Sequence, residues 1–332
     1  MTEEFQITAE TGRYRARDVE YVSGGFDQIL KRIPEFELTP FRVNDKLPAN
    51  PNLQCVVRKP LSAPEQLMPV GVVSNTYTLV QHRTVAELCK KALLEGKLDL
   101  FDLKCELGLT PLGEYMVFRI YMPDQQGFTA KDGYPTSLRV ECINSVDGSH
   151  RLVVFYSWLR LVCQNGMMVR NTKTEVRELH NQNLDLKDVA SSIQNGLSEA
   201  AADIQRLKEW DDQNIDLNLF QDWVDETLSD KWKKKAASKV YHLARTGHDS
   251  EWVDPFEGGA TTSKRVYLTS RVPGAKEQAS SFYDIMQALT WVASQRTNVE
   301  ERVEWQSQVP ALMESLQKAA KAGYRFGGTR IG

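Results

Sequence analysis

The chain has 332 residues, of which 41% are hydrophobic and 26% are charged. This is enough apolar material to bury a large core, and it excludes general disorder. The formal net charge of -3 excludes a protein that is basic over its whole surface, so any nucleic-acid-binding surface has to be a local patch. The charged N-terminus lacks an apolar segment, and no apolar run approaches the roughly 18 residues of a membrane span. We therefore expect a cytoplasmic protein without membrane contacts.

The cysteines and histidines indicate neither a disulfide framework nor a zinc site. The five cysteines are odd in number and widely spaced within apolar patterns, which favours reduced thiols. There is no CxxC pair, and the histidines do not flank the cysteines at the spacing of zinc ligands. P-loop, GxSxG, HExxH and dinucleotide-binding motifs do not occur in the sequence. We expect no cofactor and no bound metal.

The first 180 residues predict a turn-rich arm followed by a β-rich core. Residues 1–50 are mixed and rich in glycine and proline, and we interpret them as an N-terminal arm with one short helix. Residues 51–180 show strand patterns and one helical pattern, which indicate an α+β core. Within this core we expect strands near residues 54–58 and 69–80, a helix from Arg83 to Gly96, and a hairpin formed by residues 100–107 and 115–122.

The strongest strand signal lies on either side of the segment Asn144–His150. Residues 137–143 and 151–162 are rich in β-branched and aromatic side chains, and Asp147-Gly148 between them is typical of a hairpin turn. Their partly alternating pattern suits antiparallel strands with one face on a core.

Residues 181–332 predict a helical region. Apolar residues recur every three or four positions from Leu186 to Leu207, and further helical patterns follow. Residues 247–280 are rich in Gly, Ser, Thr and Pro, and we expect a long mobile loop there. Ser281 and Asp284 have the spacing of a capping box at the start of another helix. The predicted fold class is α+β, with an antiparallel sheet and a flanking helix in the first half and a mainly helical C-terminal half.

The segment Asn144–His150 is the densest group of polar side chains. Short polar side chains and backbone amides converge there, and they could bind a phosphate, a base edge or a metal. Alternatively, Asn144, Asp147 and Gly148 only form the turn. A further hypothesis is a metal or acid–base site formed by Asp147 and His150 with Glu141.

Basic and aromatic residues alternate after this segment. Residues 149–177 include five basic side chains and one acidic side chain, with Phe155, Tyr156 and Trp158 among them. Cations that neutralise phosphates and aromatics that stack on bases are typical of single-strand binding. Alternation places Phe155 on one face and Tyr156 and Trp158 on the other, so at most one set can be exposed. The predicted nucleic-acid-binding residues are Arg139, Asn144, Ser145, Asp147, Ser149, Arg151, Tyr156, Trp158, Arg160, Asn165, Arg170 and Lys173.

A second basic candidate is the run from Lys231 to Lys235, which contains four lysines. It could contact DNA, or it could be a solvated helix face neutralised by the acidic residues Asp222, Asp225, Glu226 and Asp230 just upstream.

Three segments resemble motifs of a domain-of-unknown-function family found in phages and plasmids. Residues 71–81 match GVVSxxYxxVQ, residues 144–149 match NSxDGS, and residues 160–165 match RxVCxN. The resemblance covers about residues 50–295. It implies an origin in a mobile element and favours work on DNA, because members of the family accompany recombination, repair and antirestriction genes. A sheet followed by helices is also similar to the architecture of single-strand annealing proteins.

Three functions remain open from the sequence. The first is a non-catalytic, single-stranded-DNA-binding or annealing protein that acts in recombination or replication as a homo-oligomer. The second is an interaction protein that binds a host factor or blocks a host defence. The third is a metal-assisted nuclease.

Overall fold

The computed structural model describes residues 7–9, 19–44, 46–60, 65–96, 103–123, 127–160, 165–168, 176–178, 180, 186–253, 265–296 and 299–322. The strands are β1 (Ile7–Ala9), β2 (Glu20–Gly25), β3 (Phe36–Pro40), β4 (Leu53–Arg58), β5 (Met68–Ser74), β6 (Lys104–Leu109), β7 (Tyr115–Tyr121), β8 (Phe128–Thr129), β9 (Pro135–Ser145), β10 (Leu152–Arg160), β11 (Asn165–Met168), β12 (Val176–Glu178), β13 (His248–Val253) and β14 (Arg265–Arg271). The α-helices are α1 (Phe26–Leu30), α2 (His82–Glu95), α3 (Leu186–Asp212), α4 (Leu217–Trp223), α5 (Ser229–Thr246), α6 (Phe282–Ser294) and α7 (Val299–Lys321). The predicted α+β class is confirmed, with antiparallel sheets in the first half and helices in the C-terminal half.

The chain divides into two compact units. The first, unit 1, comprises residues 1–127, 137–158 and 169–202; the second, unit 2, comprises residues 128–136, 159–168 and 203–332. No helix formed by the described residues is long and apolar enough to cross a membrane.

A large sheet is the centre of unit 1, with the strand order β1-β2-β6-β7-β9-β10 and β12 beside β10. It includes β2, from the segment expected to be an arm, which pairs antiparallel with β6. The helix α2 is the predicted flanking helix: its Cys89 lies against the sheet, with Sγ 3.1 Å from Sγ of Cys142 in β9. Every residue of β10 is buried. The sheet is therefore covered on both faces at this strand, whereas the alternating pattern predicted a single covered face.

A smaller antiparallel sheet in unit 1, ordered β3-β4-β5, packs on the segment Asn144–His150. Its core side chains are Phe36, Val56 and Val73, and Val146 completes the same apolar cluster. The backbones approach closely beside it, because a Cβ atom at Gly71 would lie 2.7 Å from Cβ of Asp147. The segment that the sequence singled out is thus packed against a second sheet.

Replacing Gly71 with alanine is expected to destabilise unit 1 by about 1–3 kcal/mol, because the added methyl overpacks the contact with Asp147. The measurement is urea unfolding followed by circular dichroism. Gly25→Ala is the control, since its Cβ would meet its nearest neighbour, Oε1 of Gln28, at an ordinary 3.8 Å. Equal stability of the two variants would contradict the close packing at Gly71.

Unit 2 is mainly helical, and α6 starts with the predicted capping box. Ser281 Oγ accepts a hydrogen bond from the Asp284 amide at 3.2 Å, and the Asp284 carboxylate accepts one from the Ser281 amide at 3.0 Å. Between α4 and α5 the chain forms a π-helical turn, Val224–Leu228. Indole packing joins α5 to α7, with the Trp232 and Trp305 rings stacked at 4.6 Å.

Two parts of the expected loop at residues 247–280 form strands, His248–Val253 and Arg265–Arg271, and residues 254–264 lie outside the described residues. Gly247 ends α5 with a φ of +70°, and β13 and β14 then pair antiparallel, with Ser250 opposite Leu268. Trp252, Val266 and Tyr267 favour strands, but they lie in a segment rich in Gly, Ser and Thr. The composition of the whole segment therefore predicted a loop.

Candidate functional site

Asn144 and His82 form a fully buried polar pair in unit 1. Nε2 of His82 lies 3.0 Å from the carbonyl oxygen of Gly113, which can only accept, so Nε2 carries the proton. Nδ1 of His82 then accepts from Nδ2 of Asn144 at 2.8 Å, and the same Nδ2 donates to the Val80 carbonyl at 3.0 Å. Burial lowers the pKa of His82 to about 4, so the ring is neutral at pH 7. The pair fastens β9 to the start of α2.

The neighbouring polar residues mostly close the turn on themselves. Ser145 is 0% exposed, and its Oγ accepts from the His150 amide at 2.9 Å. Asp147 Oδ1 accepts from the amide and the hydroxyl of Ser149 at 3.0 and 2.6 Å. Because Asn144 is also 0% exposed, the predicted nucleic-acid contacts of Asn144 and Ser145 are replaced by internal hydrogen bonds. Ser149 and Arg151 are exposed, and Asp147 is half-buried.

Tyr77 and His180 lie beside this turn with their rings stacked, 5.3 Å apart between centroids and 3° from parallel. The Tyr77 hydroxyl donates to the Ser145 carbonyl at 3.2 Å and lies 3.1 Å from Nδ1 of His180. Burial lowers the pKa of His180; it raises the pKa of Tyr77, which the charge of Asp147 raises further. His82 and His180 were not among the predicted site residues, because their spacing from the cysteines indicated no zinc site. Tyr77 in the GVVSxxYxxVQ match was the sequence signal beside them.

A row of charged side chains crosses the large sheet from β6 to β9; three of them are buried and Glu106 is half-buried. Arg119 donates to Glu106 at 2.9 Å and to Glu141 at 3.1 Å. Arg139 lies 2.7 Å from the same Glu141 oxygen and donates through Nε to Oγ of Ser157 at 3.0 Å. Two arginines and two glutamates leave no net charge, as a desolvated group requires. We call these four charged residues the charge ladder. Arg139, one of the predicted nucleic-acid-binding residues, is 7% exposed and belongs to this ladder.

The aromatic residues predicted to stack on bases are interior residues. Tyr156 is 1% exposed and Trp158 is 2% exposed, while Phe155 on the opposite face is 1% exposed. Gly196 of α3 approaches the Tyr156 ring so closely that a Cβ there would lie 2.1 Å from Cδ2. Cover on both faces of β10 therefore leaves none of these rings open to a base, which corrects the prediction.

The remaining predicted nucleic-acid-binding residues lie either in unit 2 or outside the described residues. Arg160 belongs to unit 2, is 3% exposed and forms an ion pair with Asp132. Asn165 begins β11, and its side chain lies outside the described residues. Arg170 and Lys173 also lie outside them.

The three residues of the metal or acid–base hypothesis have other structural contacts. Glu141 belongs to the charge ladder, Asp147 is bonded to Ser149, and the His150 ring packs edge-to-face on Tyr115 at 5.0 Å. In the part of the chain that the structure describes, no three His, Cys, Asp or Glu side chains are grouped so that they could hold a metal ion.

Unit 2 carries an exposed group of cations, Lys231, Lys233, Lys234 and Lys235, which we call the lysine surface. None of the four forms an ion pair with another described residue, and this includes the acidic side chains just upstream. The same unit exposes an aromatic ring on β14, where Tyr267 is 47% exposed.

The backbone departs from helical geometry within the lysine surface. Lys233 has φ of +67° and ψ of 155°, a region that L side chains rarely adopt, and it lies two turns after the π-helical turn starts. Such backbone strain and π-helical turns are concentrated at functional sites. Two features therefore distinguish this surface from an ordinary solvated helix face: unpaired charge and strained backbone.

A comparison with known proteins assigns the chain to a family and finds no individual relative. Residues 69–309 match the family described as a domain of unknown function, DUF932. No curated protein and no solved structure matches the chain. The matched residues run from β5 into α7, and they include the Asn144–His150 turn and the lysine surface. Because this match covers more than half of the chain, the protein belongs to the DUF932 family.

Proposed function

We propose that this protein is a non-catalytic binder of single-stranded DNA that acts in recombination or replication of a phage or plasmid, in the cytoplasm. The observation that carries the proposal is the lysine surface, whose four exposed ammonium groups have no ion-pair partner among the described residues. The resemblance of three sequence segments to a family of phages and plasmids supports the mobile-element origin. Annealing proteins assemble on the strand, so a homo-oligomer is part of the proposal.

Unpaired lysines suit a phosphate backbone for a physical reason. Binding releases the counterions condensed on the strand, and no existing ion pair has to be broken first. An exposed ring such as Tyr267 adds a surface on which any base can stack, so the binding need not depend on sequence. In this proposal the lysine surface binds phosphates in place of Arg160, and Tyr267 stacks on bases in place of Tyr156 and Trp158.

The test is a fluorescence-anisotropy titration of labelled single-stranded DNA over a range of salt concentrations. Replacing all four lysines of the lysine surface by alanine is expected to weaken binding at least tenfold at low salt. It should also flatten the slope of log affinity against log salt by about 3, since each single-strand phosphate contact contributes about 0.7.

A matched control removes four other exposed lysines, Lys104, Lys208, Lys318 and Lys321, and so changes the net charge equally. This control is expected to keep most of the affinity and slope. Equal losses of DNA affinity in the two variants would show that only the net charge matters. If the unmodified protein does not bind DNA at low salt, the proposal is rejected.

A second function, binding of a host protein, is favoured by the exposure of β14. Its residues 267–271 are all exposed, and Leu268 is 49% exposed beside Tyr267. In the described sheet β14 pairs only with β13, so its other edge can accept an added strand. Replacing Leu268 with glutamate would impair such a contact and leave the salt dependence of DNA binding unchanged, which separates the two functions.

A further inference from the structure

The strand β5 forms an open edge of the smaller sheet in unit 1. Among the described residues β5 pairs only with β4. The opposite edge, β3, is covered, because the side-chain amide of Gln81 accepts from the Phe36 amide at 3.0 Å and donates to the Phe36 carbonyl at 2.7 Å. An uncovered edge strand is a template on which another strand can pair.

The backbone of Val72 presents its hydrogen-bonding groups to this open edge. The Asn75 amide donates to the Asn52 carbonyl at 2.9 Å, so these two residues form a bonded pair beside β4 and β5. Bonded and non-bonded pairs alternate along an antiparallel ladder, and the pair of Cys55 and Val72 lies an odd number of positions further on. The N–H and C=O of Val72 therefore point away from β4, towards the position of an added strand.

The side chains along this edge are apolar and uncharged. Leu67, Met68 and Val72 are 54%, 38% and 50% exposed. Residues 66–81 contain no Asp, Glu, Lys or Arg. Val73 belongs to the apolar cluster in the core, so Val72 lies on the opposite face of the sheet. Exposed edge strands commonly carry charges that prevent pairing, and β5 has none.

A second copy of the same strand fits this edge. An antiparallel copy centred on Val72 would place this side chain opposite Val72 of the second copy, and two apolar side chains pack well at such a separation of about 5 Å. The edge of β14 differs, because a copy centred on Leu268 would place Arg265 of one chain opposite Arg271 of the other. Like charges in that position repel, so of these two edges β5 is the one suited to self-pairing.

We propose that two copies of the protein pair antiparallel along β5, from Val70 to Ser74, with their Val72 residues opposite each other. The two small sheets then form one continuous sheet. The pairing ends near Pro69, which has no N–H to donate. This inference rests on the proposed function in one respect, because it assigns a subunit contact of the proposed homo-oligomer. The contact lies in unit 1 and involves no DNA, whereas the lysine surface lies in unit 2.

Sedimentation equilibrium of the whole chain in the absence of DNA tests the proposal. The unmodified protein is expected to reach twice the mass of one chain at micromolar concentration. Val72→Lys should raise the dissociation constant of this dimer at least tenfold, because it places two ammonium groups opposite each other. Val43→Lys is the matched control, since Val43 is 79% exposed and lies outside β5. A monomeric unmodified protein, or an equal dissociation constant in Val72→Lys, would overturn the proposal.

A mixing experiment separates self-pairing from a general effect of the substitution on folding. Val72→Glu alone should also weaken the dimer, but an equimolar mixture of Val72→Lys and Val72→Glu should restore it, because opposite charges then face each other. Misfolding of either variant would not be repaired by mixing. Absence of a dimer in the mixture would overturn the proposal. A monomeric chain that still binds DNA through the lysine surface would overturn this inference alone and leave the proposed DNA binding in place.

Discussion

Lowering the pH from 7 to 4 is expected to lower the free energy of unfolding of unit 1 by about 3 kcal/mol through His82 alone. The folded protein holds the pKa of this ring at about 4, against an ordinary value of 6.5. Folding therefore excludes a proton that the unfolded chain binds as the pH falls through 6.5. The stabilisation is complete above pH 6.5 and is lost progressively towards pH 4, at about 1.4 kcal/mol per pH unit. His180, whose pKa burial also lowers, contributes in the same direction.

The measurement is hydrogen exchange followed by mass spectrometry on peptides from α2 and β9, corrected for the intrinsic effect of pH on exchange. His82→Gln retains a donor and an acceptor but cannot titrate. In this variant the loss of stability of unit 1 between pH 7 and 4 should therefore be smaller by about 3 kcal/mol. His242→Gln is the control, because that histidine lies in unit 2. If the pH dependence is identical in the two variants, the buried pair of His82 and Asn144 does not control it.

The elements that could be predicted from the sequence are those with local signals. The helix α2 has an apolar repeat and Gly96 at its end, and α6 starts at the Ser281 and Asp284 capping box. Each signal spans a few residues, so no knowledge of tertiary packing was needed. The strands β9 and β10 were found for the same reason.

The roles of the side chains on these strands depend on distant partners. Arg139 and Glu141 are two residues apart on β9, but Arg119 reaches Glu141 only because Arg119 on β7 lies opposite it in the register. His82 and Asn144 are likewise 62 positions apart. Burial on both faces of β10 results from cover by other segments, which its own sequence does not specify. For these reasons the sequence could not show that Arg139, Asn144, Tyr156 and Trp158 are buried.

The lysine surface shows the converse case. Its composition was plain in the sequence, together with the acidic residues that could have neutralised it. Only the structure shows that Lys231, Lys234 and their neighbours form no ion pair with those residues. Asp230 is the one of these acidic residues at i to i+4 spacing from a lysine of the surface, Lys234, and the kink at Lys233 lies between them.

Glu141→Ala is expected to destabilise unit 1 by about 3–5 kcal/mol, because removing one partner leaves buried charge without compensation. Glu141 is bonded to both Arg119 and Arg139, which are 3% and 7% exposed. Glu141→Gln keeps the shape of the side chain and one acceptor, so it should destabilise unit 1 less. Pulse proteolysis in urea measures the stability of both variants. Glu87→Ala, which removes an exposed ion pair with Arg83, is expected to change stability little.

Replacing Arg139 in the charge ladder tests whether this residue has a structural role or a DNA-binding role. If the guanidinium is internal, Arg139→Ala lowers the stability of unit 1, but the folded fraction binds single-stranded DNA with an unchanged salt slope. A phosphate contact would instead flatten the slope by about 0.7 at unchanged stability. Since Arg139 lies 2.7 Å from Glu141 and donates to Ser157, we expect the first result. The second would require the charge ladder to open when DNA binds, and Glu141→Gln would then strengthen DNA binding by releasing Arg139.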